Sequence, residues 1–273
     1  MKKIGFIGLG HMGQALLRAI LKSSSPAISI TVTSRTTAKL NEFKKEFPTI
    51  AIEEKNAEVA MKSDLLFICV NTYEVINVLE EIGRHLGANT HIISIAGGLT
   101  IESFENKFKG KISKVIPTLT CEVLEGTSLV CHNRNVNDDE RAYLENMLGK
   151  IGSVMEIRED QFPVYTALSS CAPGLIASIF DLLLESASKS GDIDKKKALQ
   201  IVLSSLQGTS KIVREKNESF SSLIDRVARK GGNTEIGVTL FRNNFPEVFD
   251  SMFSSMLANE KRRNIKTAEQ FKL

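Results

Sequence analysis

The first half of the chain alternates short apolar runs with segments of helical periodicity. Runs rich in β-branched and apolar residues predict strands, and apolar positions that recur every three or four residues predict helices between them. The predicted strands cover residues 4–9, 28–34, 64–70, 91–95 and 114–116, and the predicted helices cover residues 13–22, 37–46 and 73–86. Apolar strands that alternate with helices are typical of a parallel sheet covered on both faces, so this half is expected to be an α/β domain.

The pattern changes near residue 158, after which helical periodicity dominates. Residues 163–189 are apolar nearly all round between Leu175 and Leu184, and such a helix needs neighbours on every side. It is therefore expected in the centre of a bundle or in a subunit interface. Further helices are predicted from Asp194 to Val213 and over residues 219–227, 234–242 and 248–263. The chain thus divides into an α/β domain, residues 1–158, and an all-helical domain, residues 159–273.

Composition and charge exclude several classes of protein. The chain has 273 residues, a net charge of +3 and no cluster of basic residues alternating with aromatics, so no nucleic-acid partner is expected. Hydroxyls, Pro173 and Gly174 interrupt the uncharged segment 163–180, and no membrane span is predicted. The four cysteines lack Cys-x-x-Cys spacing and the histidines lack ligand spacing, so we expect no disulfide, no metal and a cytoplasmic location.

A glycine-rich loop follows the first predicted strand and opens the first predicted helix. It consists of Gly8, Leu9, Gly10, His11, Met12 and Gly13. In a dinucleotide-binding loop the first glycine permits a tight turn, the second lets backbone amides approach a pyrophosphate, and the third allows close packing of helix on strand. An ordinary glycine-rich turn is the alternative, but the flanking strand and helix favour a Rossmann phosphate loop.

The end of the second predicted strand indicates which dinucleotide binds. An NAD site would place Asp or Glu there to hold the ribose 2′-hydroxyl. This chain has Ser34, Arg35 and Thr36 instead, which suit a 2′-phosphate. A surface arginine at the start of a helix is the alternative for Arg35, but the segment favours NADP(H).

Several motifs together resemble the pyrroline-5-carboxylate reductases, within the 6-phosphogluconate-dehydrogenase-like superfamily, and in particular their late-competence-operon, ComER-like branch. The resemblance extends over nearly the whole chain. It rests on residues 8–13, 34–36, 115–120, 125–126, 166–173 and 230–234. It implies an N-terminal NADP-binding Rossmann domain, with Val70 and Asn71 also at the cofactor, and an all-helical domain for substrate binding and dimerisation. A homodimer or higher homo-oligomer is implied.

The resemblance also implies a reaction: NADPH transfers a hydride to the ring C=N of 1-pyrroline-5-carboxylate and L-proline forms. The family's hydroxyl donor to the ring nitrogen corresponds to Thr234. Gly231, Gly232 and Asn233 precede a predicted helix whose first amides and dipole favour a carboxylate, although Asn233 could be a plain N-cap. Ser169 completes the implied substrate site.

Some positions depart from the family pattern. Ser170, Cys171 and Ala172 add side-chain bulk where the family has Gly-Ser-Gly, and Glu235 replaces an apolar residue beside the implied carboxylate site. These departures leave two alternatives open: a reductase of another small imine or carbonyl compound, and a non-catalytic NADP-binding regulatory protein of the same fold.

Overall fold

The computed structural model describes residues 2–23 and 28–271, and in these residues eight strands form one sheet. The strand order is β3-β2-β1-β4-β5-β6-β7-β8. The strands are β1 (Lys2–Ile7), β2 (Ile28–Thr33), β3 (Ala51–Ile52), β4 (Leu65–Ile68), β5 (His91–Ser94), β6 (Lys111–Pro117), β7 (Gly126–His132) and β8 (Gly152–Glu156). The five predicted strands are confirmed, with small shifts at their ends.

Helices cover both faces of the sheet and form most of the remaining described residues. The first six are α1 (His11–Ser23), α2 (Thr37–Glu46), α3 (Asn56–Met61), α4 (Thr72–Ile82), α5 (Ile101–Glu105) and α6 (Asp138–Gly149). The others are α7 (Phe162–Leu168), α8 (Ala172–Ser190), α9 (Lys195–Glu215), α10 (Phe220–Val227) and α11 (Asn233–Phe271). Short 3₁₀ helices lie at Gly83–His85, Leu119–Val123 and Glu159–Gln161.

The sheet is not parallel throughout, which corrects the prediction. β7 runs antiparallel to β6, with Ile116 opposite Leu129, whereas β8 is parallel to β7. The physical reason is the connection after β6, a single 3₁₀ helix at Leu119–Val123. A parallel crossover needs a dozen or more residues, so this short connection returns the chain beside β6.

The last helix also differs from the prediction of two helices separated near residue 245. α11 continues through Pro246, which lacks the amide hydrogen of a regular helical residue. Two aromatic contacts link the turns on either side: Phe241 stacks on Phe245 at 4.6 Å between ring centroids, and Phe245 meets Phe249 edge-on at 5.9 Å. These contacts between residues four apart help to offset the missing hydrogen bond.

Two apolar clusters enclose the sheet. On one face α1, α2 and α6 pack against Phe6 and Val115, and on the other α3, α4 and α5 pack against Leu66 and Ile92. Phe6 and Phe67, opposite each other on β1 and β4, stack at 4.7 Å. The α/β half thus has its own complete core.

The chain forms two compact units whose limits differ from the predicted division at residue 158. One unit comprises Met1–Pro173 together with Leu257–Leu273, and the other comprises Gly174–Met256. The first extends past residue 158 because α7 buries Phe162 and Ala167, and Phe162 packs with Ile116, Leu129 and Cys131. The division into a cofactor-binding domain, residues 1–158, and a substrate-binding and dimerisation domain, residues 159–273, stays a prediction about function.

The second unit has an exposed apolar surface. None of residues 174–256, all of which the structure describes, is buried. Glu159–Ser190 is moreover long and apolar enough to cross a membrane by length and composition, although a turn at residues 169–171 interrupts it. These helices therefore need a covering that the single chain does not supply.

Candidate functional site

The glycine loop lies between β1 and α1 and is shaped by contacts with the end of β4. Gly8 has a φ of +94°, which residues with a side chain rarely adopt. A Cβ there would lie 2.8 Å from Val70 Cγ1. A Cβ on Gly13 would lie 2.8 Å from the Gly8 oxygen and 2.9 Å from Cys69 Cβ. Gly10 differs, because its Cβ would meet only the Cys69 oxygen, at 3.9 Å. Gly8 and Gly13 thus serve the turn and the packing, and Gly10 leaves open space for a ligand.

A cavity of about 450 Å³ opens above this loop, at the carboxyl ends of β1, β2 and β4. It brings together seven of the predicted cofactor residues, Gly8, Gly10, Ser34, Arg35, Thr36, Val70 and Asn71. The other three do not line it: His11 is exposed, Met12 packs against the core, and Gly13 is buried under the loop. The carboxyl edge of a parallel sheet, where strand order reverses, is where dinucleotides bind in this class of fold.

Further residues line the cavity that sequence reasoning missed. They are Lys39, Asn56, Glu74, Asn77 and Glu81, among others. Lys39 Nζ donates to the Leu9 oxygen at 3.4 Å, and the Asn56 amide donates to Glu81 at 2.7 Å. Their positions in the chain could have identified them. Asn56 begins the helix that follows β3. Glu74, Asn77 and Glu81 recur every three or four residues, so they lie on one face of α4.

Arg35 is paired with a carboxylate from another element. Its Nη1 lies 2.5 Å from Oε1 of Glu74, in the first turn of α4, and the Arg35 side chain is 86% exposed. No carboxylate stands beside Arg35 in sequence, but the fold brings one to it. The Arg35 guanidinium at the cavity mouth can bind a 2′-phosphate, and the Glu74 carboxylate competes with that phosphate for it.

The segment of predicted substrate residues lies in the second unit, at the start of α11. Gly231 has a φ of +76°, and its amide donates to Oε2 of Glu235 at 2.6 Å. The Gly232 amide donates to the Arg229 oxygen at 2.9 Å. The two glycine amides are therefore engaged within the chain, and their role at a substrate carboxylate stays a prediction. The first-turn amides of Asn233 and Thr234, which have no intrahelical acceptor, are the groups that can meet an anion there.

The turn between α7 and α8 holds the remaining predicted residue, Ser169. Its hydroxyl donates to the Tyr165 oxygen at 2.7 Å. Cys171 follows, and burial together with the nearby Glu260 raises the pKa of its thiol. A raised pKa keeps the thiol protonated, so Cys171 lacks the thiolate that a nucleophile needs.

The fold and this site define a class, the NADP-dependent oxidoreductases with a Rossmann domain and a helical dimerisation domain. Residues 3–98 match the family model "NADP oxidoreductase coenzyme F420-dependent", and residues 159–263 match "Pyrroline-5-carboxylate reductase dimerisation". The chain is 34% identical to pyrroline-5-carboxylate reductase 3 of Bacillus subtilis, over 94% of this chain and 95% of that protein. It belongs to the pyrroline-5-carboxylate reductase family.

Two other relatives sharpen this assignment. ComE operon protein 4 of Bacillus subtilis is 25% identical over 93% of each chain. The crystal structure of Plasmodium falciparum pyrroline carboxylate reductase with NADP bound is 26% identical, with a TM-score of 0.86 over 96% of this chain and 98% of that chain. The predicted family, fold class and NADP(H) cofactor are confirmed, and the dimerisation match supports a homo-oligomer. The resemblance to the ComER-like branch is also confirmed, although reductase 3 is the more identical of the two relatives.

Proposed function

We propose that this protein reduces 1-pyrroline-5-carboxylate to L-proline with NADPH in the cytoplasm. The observation that carries the proposal is similarity along nearly the full length of a named reductase, together with a cofactor cavity built by the expected loop. Similarity restricted to the nucleotide-binding half would support cofactor binding alone. Here both the nucleotide half and the helical half match.

The residues of this chain have mainly positioning roles in the proposed reaction. Bound NADPH would supply the hydride, and a protonated imine accepts it readily, so strong acid–base groups are not required. The loop at Gly8 and Gly10 would hold the pyrophosphate, and Arg35 with Ser34 and Thr36 would hold the 2′-phosphate.

The start of α11 would hold the substrate. The amides of Asn233 and Thr234 would bind the substrate carboxylate, and the Thr234 hydroxyl would donate a hydrogen bond to the ring nitrogen. A donor of this kind stabilises the lone pair that forms on the ring nitrogen as the hydride adds to the protonated imine. Residues 1–158 would then serve the cofactor, and residues 159–273 the substrate and the contact with a second copy, in a homodimer or larger homo-oligomer.

NADPH oxidation with and without pyrroline-5-carboxylate tests the activity. We expect Thr234→Ala to lower kcat by about ten- to a thousandfold and to leave NADPH affinity unchanged, because the hydroxyl acts on the reacting ring. Thr239→Ala, an exposed threonine further along α11, is the matched control and should leave turnover intact. Undiminished turnover in Thr234→Ala would remove the donor role.

Arg35→Ala tests the cofactor site. Loss of a charge-assisted contact should weaken NADPH binding by about ten- to hundredfold and leave NADH binding nearly unchanged. Arg84→Ala, exposed outside the cavity, is the control. Equal affinities of the wild type for the two cofactors would contradict the assignment.

One observation favours a second function, that of a non-catalytic NADP-binding protein. The Glu235 carboxylate lies on the Gly231 amide, so a negative charge already stands beside the proposed carboxylate site. Glu235→Ile should raise turnover or lower KM if the protein is a reductase of this substrate. If the wild type binds NADPH without turnover and Glu235→Ile restores none, the regulatory function replaces the catalytic one. Turnover with other cyclic imines alone would instead indicate a different substrate.

A further inference from the structure

Three side chains with metal-ligating atoms converge at the antiparallel end of the sheet. They are His132 on β7, Glu145 on α6 and Glu156 on β8, and one ligand atom of each lies within 4.8 Å of the others. None of the three lines the cofactor cavity. The proposed reductase reaction uses none of them, so the cluster needs an explanation of its own.

Strand register places these groups on one face. Glu156 is paired with Val130 across the parallel β7–β8 ladder, and Val130 and His132 point to the same side because strand residues alternate. Val130 packs in the apolar cluster that includes Leu144 of α6, so α6 covers this face. Glu145 follows Leu144 in α6, and its Oε1 lies 3.3 Å from Nε2 of His132.

A buried polar chain fixes the orientation of the histidine ring. His132 Nδ1 lies 2.6 Å from Ser113 Oγ, and Ser113 Oγ lies 2.6 Å from His91 Nε2. The side chain of His132 is 0% exposed, and Ser113 and His91 are also buried. Ser113 has one hydroxyl proton, so at most one imidazole accepts from Oγ and at least one donates to it. When Nδ1 of His132 donates, the lone pair of Nε2 faces the two carboxylates.

This arrangement has the parts of a metal centre. Metal-bound histidines are typically held through their second ring nitrogen, here Nδ1 by Ser113. Tetrahedral ligands about 2.1 Å from an ion lie about 3.4 Å apart, close to the observed 3.3 Å between Nε2 and Oε1. We propose that His132, Glu145 and Glu156 bind one Zn²⁺ ion, with water in the fourth position. The lone pairs of a neutral imidazole and two carboxylates form the bonds, and nothing is oxidised or reduced.

A cation of the chain competes for one ligand. Arg141 Nη1 lies 3.5 Å from Oε1 of Glu156, and both side chains are partly exposed. Zn²⁺ would displace this ion pair, and Glu156 can turn because its side chain is 50% exposed. The bound ion would join β7, α6 and β8 and so stabilise the end of the sheet that sequence analysis did not predict.

The test is Zn²⁺ binding to the full-length chain, without an affinity tag and after treatment with a chelator. Titration against a chromophoric chelator should give one ion per chain, and Co²⁺ should give the visible absorption of a tetrahedral site. His132→Gln, Glu145→Gln and Glu156→Gln should each lower Zn²⁺ affinity by about a hundredfold or more, and Ser113→Ala by about ten- to hundredfold. His85→Gln and Glu42→Gln, both exposed, are the matched controls and should bind Zn²⁺ as the wild type does.

Arg141→Met separates this proposal from an effect of misfolding. Removal of the competing guanidinium should tighten Zn²⁺ binding by about three- to tenfold, a gain that a damaged fold would not give. Unchanged NADPH affinity in every variant verifies the fold independently of turnover. The proposal is overturned if the wild type binds no Zn²⁺ at millimolar concentration, or if His132→Gln binds it with undiminished affinity.

Discussion

The two compact units treat their apolar residues in opposite ways. In the first unit the sheet lies between two layers of helices, and residues such as Phe67 and Leu144 are 0% exposed. In the second unit Leu182 is 63% exposed and Ile201 is 66% exposed. The first unit therefore has a core within one chain.

The family assignment explains the second unit. Residues 159–263 match a dimerisation domain, so we expect a second copy to cover exposed apolar faces of its helices. Obligate interfaces resemble a domain core cut in two. The comparison teaches that apolar periodicity fixes how much surface must be buried, but not whether the same chain buries it.

The sharpest way to break this comparison is to charge the exposed face. Leu182→Asp should abolish assembly, because a buried leucine contributes about 1.5–3 kcal/mol and a two-fold interface loses it twice, about 3–6 kcal/mol per dimer. Light scattering measures the effect. Leu144→Ala is the counterpart in the first unit: it should destabilise that unit by about 2–5 kcal/mol and leave the oligomeric state unchanged. A Leu182→Asp protein that assembles as the wild type does would show that α8 is not in the interface.

A second experiment concerns the internal core of the first unit. Burial lowers the pKa of His91 from 6.5 to about 4, so the unfolded chain binds the extra proton between these values. The stabilising contribution is present above pH 6.5 and is lost as pH falls toward 4, by about 3 kcal/mol in total. His91→Gln, which does not titrate, should flatten this part of the stability profile in urea unfolding. The exposed His85→Gln should keep the wild-type slope, and equal slopes in all three proteins would refute the assignment.

Packing beneath the glycine loop provides a smaller effect. Gly13→Ala places a methyl group 2.8 Å from the Gly8 oxygen, and overpacking of this kind costs about 1–3 kcal/mol in thermal or urea unfolding. Gly10→Ala is the matched change, with 3.9 Å to its nearest atom. It should leave stability unchanged and weaken NADPH binding, because its methyl group enters the cavity. Equal stability of the two variants would contradict these assigned roles.

The smallest expected effect lies at the mouth of the cofactor cavity. Glu74→Gln frees Arg35 from its ion pair, and exposed pairs contribute at most about 1 kcal/mol. NADPH should therefore bind about two- to fivefold more tightly in a fluorescence titration, with NADH unchanged. Glu80→Gln on the same helix, which pairs with Lys107 outside the cavity, should change neither affinity. Tighter binding of both cofactors would show that Glu74 does not act through the 2′-phosphate.

The parts of the site that are contiguous in sequence were predictable. Gly8 to Gly13 form a loop whose geometry depends on neighbouring residues, and Ser34 to Thr36 end a strand that the pattern of β-branched residues identifies. Seven of the ten predicted cofactor residues meet at one cavity, since the carboxyl ends of adjacent parallel strands lie together. The change to helical periodicity near residue 158 likewise predicted a separate helical half.

What the sequence by itself determined is therefore the local chemistry: the phosphate loop, the preference for NADP(H) and the amount of apolar surface in the helical half. Only the tertiary structure decided that β7 turns back beside β6, that Glu74 reaches Arg35, and that His132 meets Glu145 and Glu156. These outcomes depend on strand register and helix placement between residues far apart in the chain. Local propensity and periodicity act within one helix or strand, so they predict each element. Which elements contact each other is decided by tertiary packing.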